Sequence, residues 1–269
     1  MNLSYQGIFE QRGKLYQQAM NRCPHARDEE FANLLKQLPA NRSQVIADLP
    51  AGGGYLSHYL SEQDISYTAI ETSQTFFDFC HESDSHHKVL CPLNKISLAD
   101  QSQDLLYSLA GMHHTFDRFP VYREIYRVLR PGGKAVIADV PEGCKVDKFL
   151  NKFVDKFNSL GHQGMFLNRQ DLQAMEATGL IIQSQVKEDY YWHFDSIEDM
   201  ANYCQLLFGL DLANLDEIVS GIDKYLGYRL IDGEILMNWS LLFITVQRPK
   251  ASNSSDKVTR FKTFGHDHF

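Results

Sequence analysis

The segment V45-I-A-D-L-P-A-G-G-G-Y-L-S-H-Y-L60 constrains this chain most: an apolar run ends in Asp48, three glycines follow, and apolar residues then recur at helical spacing. This order predicts a strand, a tight loop and a helix start, which together set a nucleotide-like ligand against backbone N–H groups. Glycine suits such a loop because a Cβ blocks both the turn and the ligand's close approach. Gly-rich turns also arise for purely structural reasons, so the rest of the chain must decide.

Further apolar runs at 67–71, 88–91, 104–109 and 134–139 read as strands. Between 104–109 and 134–139 lies F119-P-V-Y-R-E-I-Y-R-V-L-R130, a helical pattern halted by Pro131-Gly132-Gly133. Strands alternating with helices imply a mostly parallel sheet covered on both faces, with ligands bound beyond the carboxyl ends of its strands. Two helices precede it, at 5–20 and 27–37, separated by Cys23-Pro24. Beyond Asp139 the pattern predicts a helix at 145–160, a connector at 161–166, a helix at 170–178, a strand near 180–187 and helices around 196–208 and 214–226. A last strand, 234–247, is expected to pair antiparallel. The resulting organisation is a helical lid over 1–40 and an α/β domain over 41–250 with helical insertions near 140–168 and 190–233. The tail, 251–269, is polar at its start and expected to be mobile, so His266 and His268 read as a loose terminus rather than a metal site.

The 269 residues are 43% apolar, enough for a sizeable core. A formal charge of -8 gives no basic face for nucleic acid. Five scattered cysteines, without metal-ligand spacing, fit reduced thiols in a cytoplasmic protein. The start M1-N-L-S-Y-Q lacks signal-peptide character, and no apolar run is long enough to span a bilayer. A soluble monomer or homodimer is expected.

Glu71 closes Y67-T-A-I-E71, 19 residues beyond Gly52, where a carboxylate can accept both hydroxyl hydrogens of a ribose. The alternative is an exposed acid beginning a turn before a capped helix. Together with Q103-D-L-L-Y-S-L-A-G-M-H-H114 and R127-V-L-R-P-G-G133 followed by K134-A-V-I-A-D139, these features resemble the class I S-adenosylmethionine-dependent methyltransferases. The resemblance covers 45–139 well and 170–247 only as strand topology. It implies a Rossmann-like, seven-stranded, mostly parallel sheet with an antiparallel last strand. The nicotinamide fingerprint G-x-G-x-x-G is absent, since position 57 is Ser57. Two departures stand out. Pro50 replaces a usual glycine, and Pro92-Leu93 stands where many relatives carry an adenine-binding acid.

The resemblance implies S-adenosylmethionine as cofactor and S-adenosylhomocysteine as product. The loop of Pro50, Ala51, Gly52 and Gly54 would meet its methionyl part, with the N–H groups of residues 51–54 offered to it; Asp48 would orient that loop or meet the amino group through water, Glu71 would hold the ribose, and Thr72 is a further cofactor-binding residue. Leu93 would lie beneath the adenine, with Ser108 and Leu109 near the sulfonium. His113 and His114, just past the fourth strand, are base candidates or loop-structuring residues, and His193 is a further base candidate. Tyr5, Arg12 and Tyr16 share a helical stripe suited to a lid over the acceptor, where Arg12 would need an anion or carboxylate partner. Phe153, Phe166 and Trp192 are expected to wall an apolar pocket. No metal is called for, because Asp139 has no identifiable partner carboxylates. The expected activity is O- or N-methylation of a small hydrophobic or aromatic acceptor. The alternative is a cofactor-binding scaffold or cyclisation catalyst of the same fold.

Overall fold

The protein is described from a computed structural model, which covers residues 5–60 and 65–251. Apolar residues on both faces of each central strand commit the chain to a sheet buried on both sides. Along the strands, Ile46, Leu105, Tyr107, Val136 and Ala138 enter one core, while Ala47, Leu106, Ala135 and Ile137 enter the other. The first core is closed by helices α1 (Tyr5–Arg22), α2 (Asp28–Gln37), α8 (Ile197–Phe208) and α9 (Leu215–Tyr225). The second is closed by α4 (Phe119–Val128) and α7 (Arg169–Ala177), through Val121, Ile125 and Met175.

The strands are β1 (Val45–Asp48), β2 (Ser66–Glu71), β3 (His86–Leu90), β4 (Gln103–Leu109), β5 (Leu129–Asp139), β6 (Ile181–Phe194), β7 (Tyr228–Ile231) and β8 (Glu234–Gln247). They lie in the order β3-β2-β1-β4-β5-β8-β6, with β7 paired to β8. Strands β1 to β5 are parallel, and β8 runs antiparallel to both β5 and β6. The expected seven-stranded path is present, and the short β7 adds an eighth strand that the sequence reading did not include. The order reverses between β1 and β4, so the crevice at their carboxyl ends is the natural ligand site.

Four elements differ from expectation. The helix start after the glycines is a 3-10 helix, Tyr55–Tyr59. Strand β5 begins at Leu129, so Pro131-Gly132-Gly133 lies inside a strand, beside a register shift between Gln103 and Leu105 of β4. Strand β6 extends through Phe194, which makes the aromatic run 189–195 largely strand and starts the insertion after it. The helix expected at 145–160 comprises α5 (Lys145–Lys148), a π-helical stretch (Phe149–Val154) and α6 (Asp155–Phe157). A short α3 (Gln74–Phe79) follows β2, capped by the Ser73 side chain accepting from the Phe76 N–H. Of the tail, only residue 251 is described, and His266 and His268 lie outside the described residues.

Candidate active site

Strands β1 and β2 end side by side, each in a buried carboxylate. Asp48 accepts from the Tyr67 hydroxyl at 2.8 Å, and burial pushes its pKa up to about 7. Glu71 is fully buried and accepts at one oxygen from the Gly52 N–H (2.6 Å) and the Tyr5 hydroxyl (2.8 Å). Its other oxygen accepts from the N–H groups of Thr72 and Ser73. Burial outweighs these donors and raises the Glu71 pKa to about 7.

The loop between the two acids does not hold its N–H groups open as the sequence suggested. Ala51 donates to the Ile70 carbonyl, Gly52 to Glu71 and Gly54 to the Ala51 carbonyl, so three of the four are used within the protein. Gly54, at φ +76, makes the left-handed turn into the 3-10 helix. It supports the loop and is not among the residues lining the clefts. The Leu49-Pro50 peptide is cis, and the proline ring packs so closely on Gly111 that a Cβ there would collide with it. Thus Pro50 is matched by a glycine in the facing β4 loop.

Helix α1 lies across these strand ends. Tyr5, Phe9 and Tyr16, with Asp48, Pro50, Ala51, Gly52 and Leu109, leave a space of only about 50 Å³ beside the loop. A cleft of about 800 Å³ continues outward past Thr72, Leu93, His113 and His114 to the 160–165 connector. Leu93 is buried in its wall, and the Thr72 hydroxyl is buried without a hydrogen-bond partner.

Beneath α1 the cleft adjoins an aromatic chamber of about 70 Å³ lined by Phe9, Arg12, Tyr16, Trp192, Phe208 and Trp239, with His113, His114 and His162 at its edge. Trp192 and Trp239 stack with centroids 4.2 Å apart. The Trp192 N–H is satisfied by Glu30 at 2.8 Å, and Glu30 is ion-paired to buried Arg27. The Trp239 N–H and the Arg12 Nε are buried with no hydrogen-bond partner among the described residues. The Arg12 Nη2 reaches the Leu207 carbonyl at 3.2 Å, and burial draws its pKa down to about 10 against the pull of Asp211. An incompletely satisfied guanidinium in an apolar chamber is costly unless an anion joins it.

The histidines form the wall between cleft and chamber. His113 follows β4 in a 3-10 turn (Met112–His114), and its Nδ1 lies 2.7 Å from Asp139 at the end of β5. A carboxylate only accepts here, so Nδ1 is the donor and Nε2 is the ring nitrogen turned away from Asp139. His114 packs on His113 with centroids 4.1 Å apart, and burial together with His113, His162 and Arg12 holds its pKa well below the usual value. His162 comes from the connector, where burial lowers its pKa to about 3.

Several sequence candidates lie elsewhere. Alternation along β6 buries Tyr190, Trp192 and Phe194 and turns Tyr191 and His193 away, so Trp192 reaches the chamber and His193 does not. His193 is bound by Glu29 (2.9 Å) and Glu234 (3.2 Å); burial lowers its pKa, but those two partners win and raise it. Phe153 packs on Phe149 and Phe157 and against Gly221 of α9 as core, since the π-helical stretch turns it from the cleft. Phe166 backs the His113 ring at 5.5 Å instead of lining a cavity. Ser108 is fully buried in β4, its hydroxyl without a hydrogen-bond partner among the described residues, and it is not among the residues lining the clefts, whereas Leu109 lines the narrow end. Conversely, His162, Phe208 and Trp239 went unnoticed as site residues. Only His162 had a local signal, its place in the glycine-flanked G161-H-Q-G164.

Residues 47–137 match the family model described as a methyltransferase domain. A malonyl-(acyl-carrier protein) O-methyltransferase from Marinomonas sp. is 25% identical over 236 residues, covering 81% of this chain and 85% of the relative. Among solved structures, the 4+2 cyclase SpnF superposes with a TM-score of 0.65 at 16% identity, over 92% of this chain and 97% of its own. A phosphoethanolamine N-methyltransferase from Haemonchus contortus, in complex with phosphomonomethylethanolamine and S-adenosylhomocysteine, gives 0.61 at 17% identity, over 92% and 61%. With a matching domain running from β1 to β5, a relative spanning most of both chains and the same fold, this chain carries a methyltransferase domain and is similar to the class I S-adenosylmethionine-dependent methyltransferases, with S-adenosylmethionine as the methyl donor.

Proposed function

We propose that this enzyme methylates a small aromatic or apolar acceptor through an acidic oxygen, held in the chamber beneath α1. The observation that carries this reading is Arg12, whose buried Nε has no partner among the described residues, whereas buried Arg27 and Arg118 are already neutralised by Glu30 and Asp171. An acceptor anion would complete Arg12, and the stacked indoles of Trp192 and Trp239 would cover a ring. The Marinomonas relative is likewise named for O-methylation of a malonyl group.

The residues around the crevice fit the donor. Glu71 offers a buried carboxylate for ribose hydroxyls, Thr72 an unsatisfied hydroxyl beside it, and Leu93 an apolar floor for a purine. Asp48, Pro50, Ala51, Gly52 and Leu109 line the narrow end, where the methionyl part belongs. Bound S-adenosylmethionine supplies an electrophilic methyl group on a sulfonium. The chain's own work is alignment: α1 and the histidine wall fix the acceptor oxygen, and closure keeps water from it.

Incubating the enzyme and methyl-labelled donor with a panel of aromatic acids, phenols and amines tests this. Labelled esters or ethers are expected, with Arg12→Ala raising KM for anionic acceptors about tenfold or more. Labelling of neutral amines alone, or an unchanged KM in Arg12→Ala, would sink the reading. Binding of donor without any labelled product would favour a scaffold or cyclisation role.

A further inference from the structure

We propose that His113, His114 and His162 bind one zinc-like divalent transition-metal ion at the edge of the acceptor chamber, and that this ion shares the acceptor's acidic oxygen with Arg12. The inference deepens the acceptor reading above and uses the same cavity. One nitrogen from each ring lies within 4.8 Å of the other two, close enough for small side-chain rotations to bring all three onto one ion. Three imidazoles are the donor set preferred by zinc, cobalt and their neighbours, and three protein ligands leave a position free for an exchangeable oxygen.

The rings are also oriented from behind. Asp139 accepts from His113 Nδ1 at 2.7 Å, and Asn151 Oδ1 accepts from His162 Nδ1 at 3.2 Å. Both partners are themselves tied down. Asp139 also accepts from the N–H groups of His113 and Val140, and Asn151 bonds in both directions to the Gly164 backbone. Holding Nδ1 this way leaves Nε2 of each ring as the ligating atom, the arrangement usual behind metal-bound histidines. Simple packing of three rings would not require a carboxylate and an amide to select the same nitrogen on two of them.

The surrounding charges decide what the ion would hold. Arg12 faces the same histidines, and a second cation beside it is unfavourable unless an anion lies between them. An acceptor carboxylate, phenolate or enolate meets both needs. A phenol or enol acceptor loses its proton to solvent through the 800 Å³ cleft as it binds, whereas a carboxylate arrives already ionised.

The test uses the full chain carrying His266→Ala and His268→Ala, so that the tail does not compete, stripped with chelator and titrated with Co(II) as a spectroscopic stand-in for zinc. One equivalent should bind, with the visible absorption of a four- or five-coordinate site. His114→Ala and His162→Gln should abolish that signal, and Asp139→Asn should weaken binding about 10- to 100-fold. Salicylate, a simple aromatic acid, should shift the spectrum in the parent and not in Arg12→Ala. Retained S-adenosylhomocysteine binding establishes that each variant is folded. No stoichiometric cobalt binding, or binding indifferent to His162→Gln, overturns the metal site even if methyl transfer to acids is found. Cobalt binding with an unchanged KM in Arg12→Ala would instead keep the site and remove the acceptor reading.

Discussion

Glu71 shows how a single residue can be legible in a sequence while its state is not. Its position at a strand end, 19 residues past the glycine loop, marks it locally. Its burial and its Tyr5 partner come from packing across 66 residues of chain. Because its pKa stands at about 7, the carboxylate that the proposed ribose contact calls for is lost just below neutrality. Affinity for S-adenosylhomocysteine is therefore expected to weaken toward tenfold per pH unit below about 7, as measured by calorimetry. Glu71→Gln should bind at least tenfold more weakly at pH 8 and lose that slope. A wild-type affinity that is flat from pH 8 to 5.5 would remove Glu71 from the ribose site. His162 illustrates the opposite case: its partners His113 and His114 are 49 and 48 residues away, and nothing between them in sequence records that the connector folds back.

At the level of elements, α1 and β6 were readable as stripes but not as faces. Tyr5, Phe9, Arg12 and Tyr16 recur at helical spacing, which puts them on one side of α1, and these residues line the spaces beside and beneath that helix. In the aromatic run 189–195 the orientation depends on strand parity, which is unreadable until β6 is known to run unbroken from Ile181 to Phe194. His193→Ala is accordingly expected to change kcat and KM less than twofold in a methyl-transfer assay; a tenfold drop in kcat would contradict its outward placement. For α1, Tyr5 donates to the Glu71 oxygen that a ribose would need. Tyr5→Phe deletes this competitor while keeping the ring against Phe9, so S-adenosylhomocysteine should bind several-fold more tightly. Weaker binding would show instead that Tyr5 supports the ribose.

Over the whole molecule, strand and helix alternation was enough to infer the parallel sheet, since crossovers of this kind admit few alternatives. The site, however, collects residues from α1, β1, β2, β4, β5, the connector, β6, α8 and β8, and it carries a stability cost that only the assembled fold reveals. Asp48 and Glu71 close neighbouring strands, each with a pKa raised by burial to about 7, from ordinary values of 3.8 and 4.5. The folded state thus holds protons that the unfolded chain releases above roughly pH 4–5, and stability falls as pH rises through that window, levelling above about 7.5. For Glu71 alone the span from 4.5 to about 7 corresponds to roughly 3 kcal/mol at 1.36 kcal/mol per pH unit. Cofactor-free protein is therefore expected to melt several degrees higher at pH 5.5 than at pH 8. Glu71→Gln should flatten that difference and melt above the wild type at pH 8, while binding cofactor less well. A Glu71→Gln protein that melts below the wild type at pH 8 would mean that the backbone donors of Gly52, Thr72 and Ser73 already compensate the buried charge. The outcome decides whether the crevice is kept unstable by the same carboxylate that is proposed to hold the cofactor's ribose, in which case donor binding would relieve the cost.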